Sequence, residues 1–319
     1  MHDQKGSGIF FAASGIAFTA VALLVLVSSV FVKSRAETSV TATSTTFINA
    51  APTVDSVFVS DRHGSGDISK IGFIPHEGGY KTLYVRGRVT DPNGCLDIQA
   101  VEVKVYRSEL GNLCAENFNN CYATSTQTLI SCRKGLNSAA FEVGLDIKYY
   151  AEPTDAGSPN EYQYWFADVV AIDAARARYS GSANFEMNSL AAIGLASSTL
   201  SYGTVAMGSV SQPQTVALVN EGNRNVIGMV RAKSDLVSNR PGFKQVSSTQ
   251  VHVSLVKGFS WEDGSPIKTT QDVELPVGLM KQSRDDQPLT ASAYFRLKMP
   301  SIGYGGRYSN DLVFTARAY

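Results

Sequence analysis

The sequence predicts an all-β fold: two tandem β-sandwiches after an N-terminal transmembrane helix. Three observations carry that expectation. Residues 8–32, GIFFAASGIAFTAVALLVLVSSVFV, run 25 positions without a charge. From residue 53 to residue 189, short runs alternate apolar and polar side chains, each bounded by Gly, Pro, Asn or Asp. No amphipathic stretch of helical length separates these runs, which excludes a βαβ arrangement.

The N-terminal element comes first, in residues 1–36. As a helix the uncharged run would be about 37 Å long at about 1.5 Å per residue, enough to cross a hydrocarbon core of about 30 Å. It exceeds the usual hydrophobic region of a cleaved signal peptide, so an anchor in the lipid bilayer through residues 8–32 is expected. The rival is a signal peptide cut after Ala36, with Ser34 and Ala36 as the small residues such a cut requires. A third possibility starts from Lys5-Gly6 as a processing point. A short basic leader ending in Gly, a hydrophobic helix and a β-rich head together resemble the type IV pilin plan, although Phe11 stands where that family has Glu. Lys5 on one flank and Lys33 and Arg35 on the other leave orientation unsettled by charge.

Residues 37–52 read as a stalk. Seven of the nine residues 38–46 are Ser or Thr, a composition that cannot bury a core.

Cys95, Cys114, Cys121 and Cys132 are all the cysteines of the chain. An even, clustered set behind an export or membrane segment reads as two disulfides in an oxidising compartment. Four cysteines allow three pairings. Cys114 and Cys121 enclose a polar loop and can close a local hairpin, which would leave Cys95 with Cys132. Neither a CxxC pair nor a neighbouring histidine offers a zinc site.

The first module is expected over 53–189, with strands at 53–60, 82–91, 97–108, 139–147, 162–173 and 177–187. Trp165 alternates with Ala167 and Val169, which points it into the core. Thr90-Asp91-Pro92-Asn93-Gly94 has turn chemistry, because Pro presets φ, Asn tolerates the left-handed region and Gly accepts positive φ. With Ile98 and Val101 opening the next strand, the stretch 87–106 resembles immunoglobulin-like and cadherin-like modules of bacterial surface proteins. Some such modules hold Ca²⁺ in acidic loops, so the resemblance makes Asp91, Asn93 and Asp97 candidate ligands. No bidentate Glu follows at EF-hand spacing, and a turn without metal is the expected role.

The second module is expected over 190–319. Leu200, Tyr202, Gly203, Val205, Gly208, Ser209, Asn220, Gly222 and Asn223 follow a Leu-x-Phe-Gly, Val-x-x-Gly-Ser, Asn-x-Gly-Asn order. That order resembles the start of the abnormal-spindle/hydin type of immunoglobulin-like domain, with Tyr202 in place of Phe. The resemblance implies a scaffold sandwich. Later strands are expected at 251–259, 291–299 and 309–318.

Catalytic signals are missing. The four histidines, His2, His63, His76 and His252, show no i, i+4 pair. His63, Ser65 and Asp67 sit too close in one loop for a triad, which draws on separate elements. There is no GxSxG elbow or Walker loop. Glu262-Asp263 and Asp285-Asp286 read as solvated turns, since acid–base pairs need one carboxyl in an apolar site.

The net charge is zero, from 28 Lys+Arg and 28 Asp+Glu, and basic residues are scattered, so no nucleic-acid partner is expected. Divided by segment, 51–189 carries 12 basic and 17 acidic residues, net −5, and 190–319 carries 13 and 9, net +4. That opposition is expected to draw the two modules together or to stack neighbouring molecules head to tail, with strong salt sensitivity. The sequence thus points to a bacterial membrane-anchored protein whose bulk lies outside the cytoplasm, without enzymatic activity or cofactor. Its expected role is structural or adhesive, presenting both modules to another surface protein or a glycan. A pilin-like filament subunit and a carbohydrate-binding accessory module are the alternatives. The last rests on the YQYW run 162–165, with Tyr162 and Tyr164 on the strand face opposite Trp165.

Overall fold

The computed structural model describes residues 48–285, 289–301 and 305–319. The expected anchor 1–36, with the signal and pilin-like cuts, and residues 37–47 of the stalk lie outside the described residues. Among the described residues no helix is long and apolar enough to cross a membrane.

Residues 48–319 form one compact unit built of antiparallel sheets and short turns. Its first half holds β1 (Thr53–Ser60), β2 (Tyr80–Thr90), β3 (Ile98–Arg107), β4 (Cys121–Thr126), β5 (Ser138–Lys148), β6 (Trp165–Asp173) and β7 (Arg178–Phe185). One sheet runs in the order β1-β2-β5 and faces another ordered β4-β3-β6-β7. Period-two alternation decides which side chains fill the gap. Leu83, Val85 and Val89 of β2, with Phe141, Val143, Leu145 and Ile147 of β5, meet Val101, Val103 and Val105 of β3 and Trp165, Ala167 and Val169 of β6. Burying each of the larger aliphatics contributes about 1.5–3 kcal/mol. The indole N–H of Trp165 donates to the Glu152 carbonyl at 2.9 Å, so the largest core side chain leaves no donor unpaired. Where β1 bulges between Val54 and Ser56, its backbone presses onto Gly87 so closely that a Cβ would collide with the Ser56 carbonyl.

The second half adds β8 (Ile193–Leu195), β9 (Gln214–Asn220), β10 (Val226–Ala232), β11 (Val237–Ser238), β12 (Val251–Ser254), β13 (Ser265–Pro266), β14 (Val273–Leu279), β15 (Thr290–Leu297), β16 (Tyr308–Ser309) and β17 (Leu312–Ala318). A five-stranded sheet, β13-β12-β15-β9-β8, packs over a three-stranded one, β14-β10-β17. Leu218, Val226, Val230, Val253, Ile267, Leu275 and Phe295 form a hydrophobic cluster separate from that of the first half.

Several strands are shorter than their sequence patterns. The run 162–173 yields a strand only from Trp165, because residues 155–163 are held in successive turns by the Asp155, Ser158 and Asn160 carbonyls. The run 251–259 ends at Ser254, whose hydroxyl accepts the Val256 N–H as the chain turns toward Gly258, where φ is +78°. Residues 121–126, rich in Ser and Thr, form an edge strand that the apolar pattern does not reveal.

Candidate functional site

The first sandwich has two ends, and both bury charge. At the end where the described chain enters, β2 stops at Thr90 and Asp91 follows, 0% exposed. Its Oδ1 accepts the Asn93 N–H at 2.7 Å, while its Oδ2 is buried with no hydrogen-bond partner. Gly94, at φ 113°, turns the chain into a one-turn 3-10 segment, Cys95–Asp97, that delivers Asp97. Asp173, 1% exposed, ends β6. Carboxylate oxygens of Asp91, Asp97 and Asp173 all lie within 4.8 Å of one another. Burial, together with the neighbouring charges of Asp97 and Asp173, raises the Asp91 carboxyl above its ordinary range against the opposing Asn93 hydrogen bond.

The surroundings are fixed. The Asp91 and Cys95 N–H groups donate to the Asn137 and Leu136 carbonyls, each at 2.8 Å. Cys95 is bonded to Cys132, and Cys114 to Cys121, the pairing in which the short polar loop closes on itself. Asn49 donates to Asp173 Oδ2 at 2.7 Å, and the Ala50 N–H donates to Asn93 Oδ1 at 2.8 Å. Of the three ligand candidates in the sequence, the structure brings Asp91 and Asp97 together. Asn93 instead binds the backbone of residues 48–50, and Asp173 completes the cluster from a strand 76 positions beyond Asp97. Its only signal in the sequence was a polar residue ending a long apolar strand.

At the opposite end, the second sandwich docks through polar groups. Lys281 Nζ donates to Asn119 Oδ1 at 2.8 Å and to the Tyr150 carbonyl at 3.3 Å, and lies 3.6 Å from Glu152 Oε1. Glu152 also pairs with Arg107 at 3.3 Å. Burial lowers the Lys281 pKa, and Glu152 opposes that shift. The Tyr149 hydroxyl donates to Gln282 Oε1, Lys148 pairs with Asp285 at 2.9 Å, and Arg224 Nη1 donates to the Gly157 carbonyl at 3.0 Å. Asp285 therefore joins a contact between modules while staying largely exposed in its turn, and Asp286 lies outside the described residues.

No family model matches the chain, and no curated protein matches it. Among solved structures it is similar to a chain from a chaperone–tip adhesin complex of CFA/I fimbriae biogenesis. The identity is 13% and the TM-score 0.28, over 82% of this chain and 78% of the other.

The aromatic run 162–165 divides. Trp165 enters the core, while Tyr162 is 91% exposed and Tyr164 48% exposed in the turn before β6. That turn is joined to the loop after β3, for the Ser108 N–H donates to the Tyr164 carbonyl at 2.8 Å, the Tyr164 N–H donates to the Ser108 hydroxyl at 3.3 Å and Gln163 donates to Glu109 at 3.1 Å. Leu110 and Leu113 are exposed on the same loop. Trp261 stacks on His252 at 3.8 Å, with the Lys298 ammonium 4.4 Å from its ring centre. His63 pairs with Glu142 at 2.9 Å, and Asp67 caps the Ser69 N–H, so neither addresses Ser65. A groove of about 940 Å³ in the second sandwich runs between residues 195–205 and residues 306–314, with Tyr202 and Tyr308 among its lining.

Proposed function

We propose that the chain is a non-catalytic, structural or adhesive protein of the bacterial envelope, holding two immunoglobulin-like modules outside the cytoplasm. The observation that carries this reading is the polar joint centred on Lys281 and Glu152. Ion pairs and hydrogen bonds that fix one sandwich on another suit a rigid presenter of loops. The two disulfides support an oxidising, extracytoplasmic setting. The uncharged run 8–32 supports an anchor.

The exposure of Tyr162 and Tyr164 beside Leu110 and Leu113 favours a contact surface there, for a glycan or a protein. Full-length protein in detergent, applied to glycan arrays and to intact cells, tests it. Binding that falls at least about tenfold in Tyr162→Ser/Tyr164→Ser supports the surface, since losing two aromatic contacts of about 1 kcal/mol each reaches that factor. Unchanged binding removes it. N-terminal sequencing of the native membrane fraction separates the anchors: Met1 for a retained helix, Glu37 for a signal peptide and Ser7 for a pilin-like subunit.

A further inference from the structure

We infer that Asp91, Asp97 and Asp173 form a site for a hard divalent cation of Ca²⁺ size at the entry end of the first sandwich. The three carboxylates come from the end of β2, the 3-10 turn and the end of β6, and they converge within 4.8 Å of one another. Asp91 and Asp173 are buried, yet no Lys, Arg or His forms an ion pair with any of the three among the described residues. Buried charge of one sign is costly unless paired or bound to metal. The second, independent sign is Asp91 Oδ2, a buried carboxylate oxygen without any donor. The neighbouring oxygen of the same carboxyl is satisfied by the Asn93 N–H, so the side chain is locked with its free oxygen unused.

The geometry selects the kind of ion. Ca²⁺ binds oxygens at about 2.3–2.6 Å, so two ligands on one ion lie up to about 5 Å apart. The carboxylate spacing fits that limit without movement. Mg²⁺ binds at about 2.0–2.1 Å in strict octahedral geometry and gives up its waters reluctantly, so a set of three protein carboxylates suits it less. An all-oxygen donor set with neither thiolate nor imidazole disfavours Zn²⁺ and Cu²⁺. The scaffold is prepared for the ion, because the Cys95–Cys132 bond and the Asn137 and Leu136 carbonyls hold the loop on either side of Asp91. Asn49, on Asp173, and Ala50, on Asn93, tie the entering chain to the same end. A cation there fastens residues 48–50 to the sandwich, whatever the distal loops contact.

The test uses full-length protein stripped with EDTA, titrated with CaCl₂ and separately with MgCl₂, and read by calorimetry and thermal unfolding. Ca²⁺ is expected to raise Tm with a Kd on the order of 10⁻⁴–10⁻³ M, the range of extracellular calcium modules. Asp97→Asn and Asp173→Asn are expected to weaken binding at least about tenfold, because affinity follows ligand charge. Asp97 is half-buried, so Asp97→Asn is expected to fold and decides the matter if Asp173→Asn does not. No response to Ca²⁺ at about 10 mM, or an undiminished response in Asp97→Asn, overturns the site. An equal response to Mg²⁺ at matched concentration overturns the assignment to an ion of Ca²⁺ size.

Discussion

The two ends of the first sandwich treat buried charge in opposite ways. At the joint, Glu152 faces Arg107 and Lys281, and every charge has an opposite one within 4 Å. At the entry end, Asp91, Asp97 and Asp173 face one another without a cation among the described residues. The contrast teaches that the same substitution, a carboxylate made neutral, has opposite signs at the two ends. At the joint it strands Lys281 and leaves Arg107 with Glu109 alone, and at the entry end it relieves repulsion.

The largest break in this contrast is Glu152→Ala. It leaves Lys281 without a carboxylate and Arg107 with the exposed Glu109 at 3.2 Å, and removing one member of a buried pair costs about 3–5 kcal/mol. Urea unfolding is expected to show that loss, and a change below about 1 kcal/mol would mean the joint is held by its neutral hydrogen bonds. The disulfides come next. Cys95–Cys132 spans 37 positions and Cys114–Cys121 spans 7. On the loop-entropy model their loss costs about 4 and about 2.5 kcal/mol respectively. Serine pairs at each site, compared by thermal unfolding, check the order, and only the first is expected to weaken Ca²⁺ binding as well.

Asp91→Asn tests the sign. Asparagine keeps the oxygen that caps the Asn93 N–H and removes one of three clustered charges. Without metal the variant is expected to be more stable than the parent by on the order of 1 kcal/mol at neutral pH, a screened like-charge repulsion. The pH dependence follows from the raised Asp91 carboxyl. A folded pKa above the unfolded one means that the penalty is absent below the unfolded value and complete above the folded value. The advantage of Asp91→Asn therefore shrinks as pH falls through the raised Asp91 pKa. An advantage that persists in acid would show that the Asp91 charge is not its source.

What the sequence made legible follows from the range of each interaction. Period-two alternation is local, so β2, β3 and β5 are visible to within about two residues, and Trp165 reads as core from its neighbours alone. Tyr162 and Tyr164 obey the same alternation, but turns around Ser158 and Asn160 keep them out of the strand, and a two-letter pattern does not see those bonds. Asp91 and Asp97 are visible because turn chemistry concentrates acidic residues there. Asp173 is not, because only the pairing of β3 with β6 carries it back to them. The joint is the least legible of all. Lys281, Glu152 and Asp285 lie in unpatterned loops and acquire meaning only when the two sandwiches meet.

The smallest expected effect concerns Lys148 and Asp285, and it separates net charge from contact. The first module is net −5 and the second +4, which predicts attraction of acidic residues to basic ones in that order. Lys281 on Glu152 obeys it, but Lys148 on Asp285 runs the other way, a cation of the acidic module on an anion of the basic one. Net charge sets the field at a distance and does not choose partners at contact. The Lys148 pair is open to solvent on its Asp285 side, so Lys148→Ala is expected to cost about 0.5 kcal/mol at low salt. At 1 M NaCl the screening length falls to about 3 Å and that cost is expected to vanish. The Glu152→Ala cost should survive the same salt, because its partners are largely shielded from water. Equal salt sensitivity at both positions would show that the joint is held as a surface contact, and the contrast between the two ends would then lose its basis.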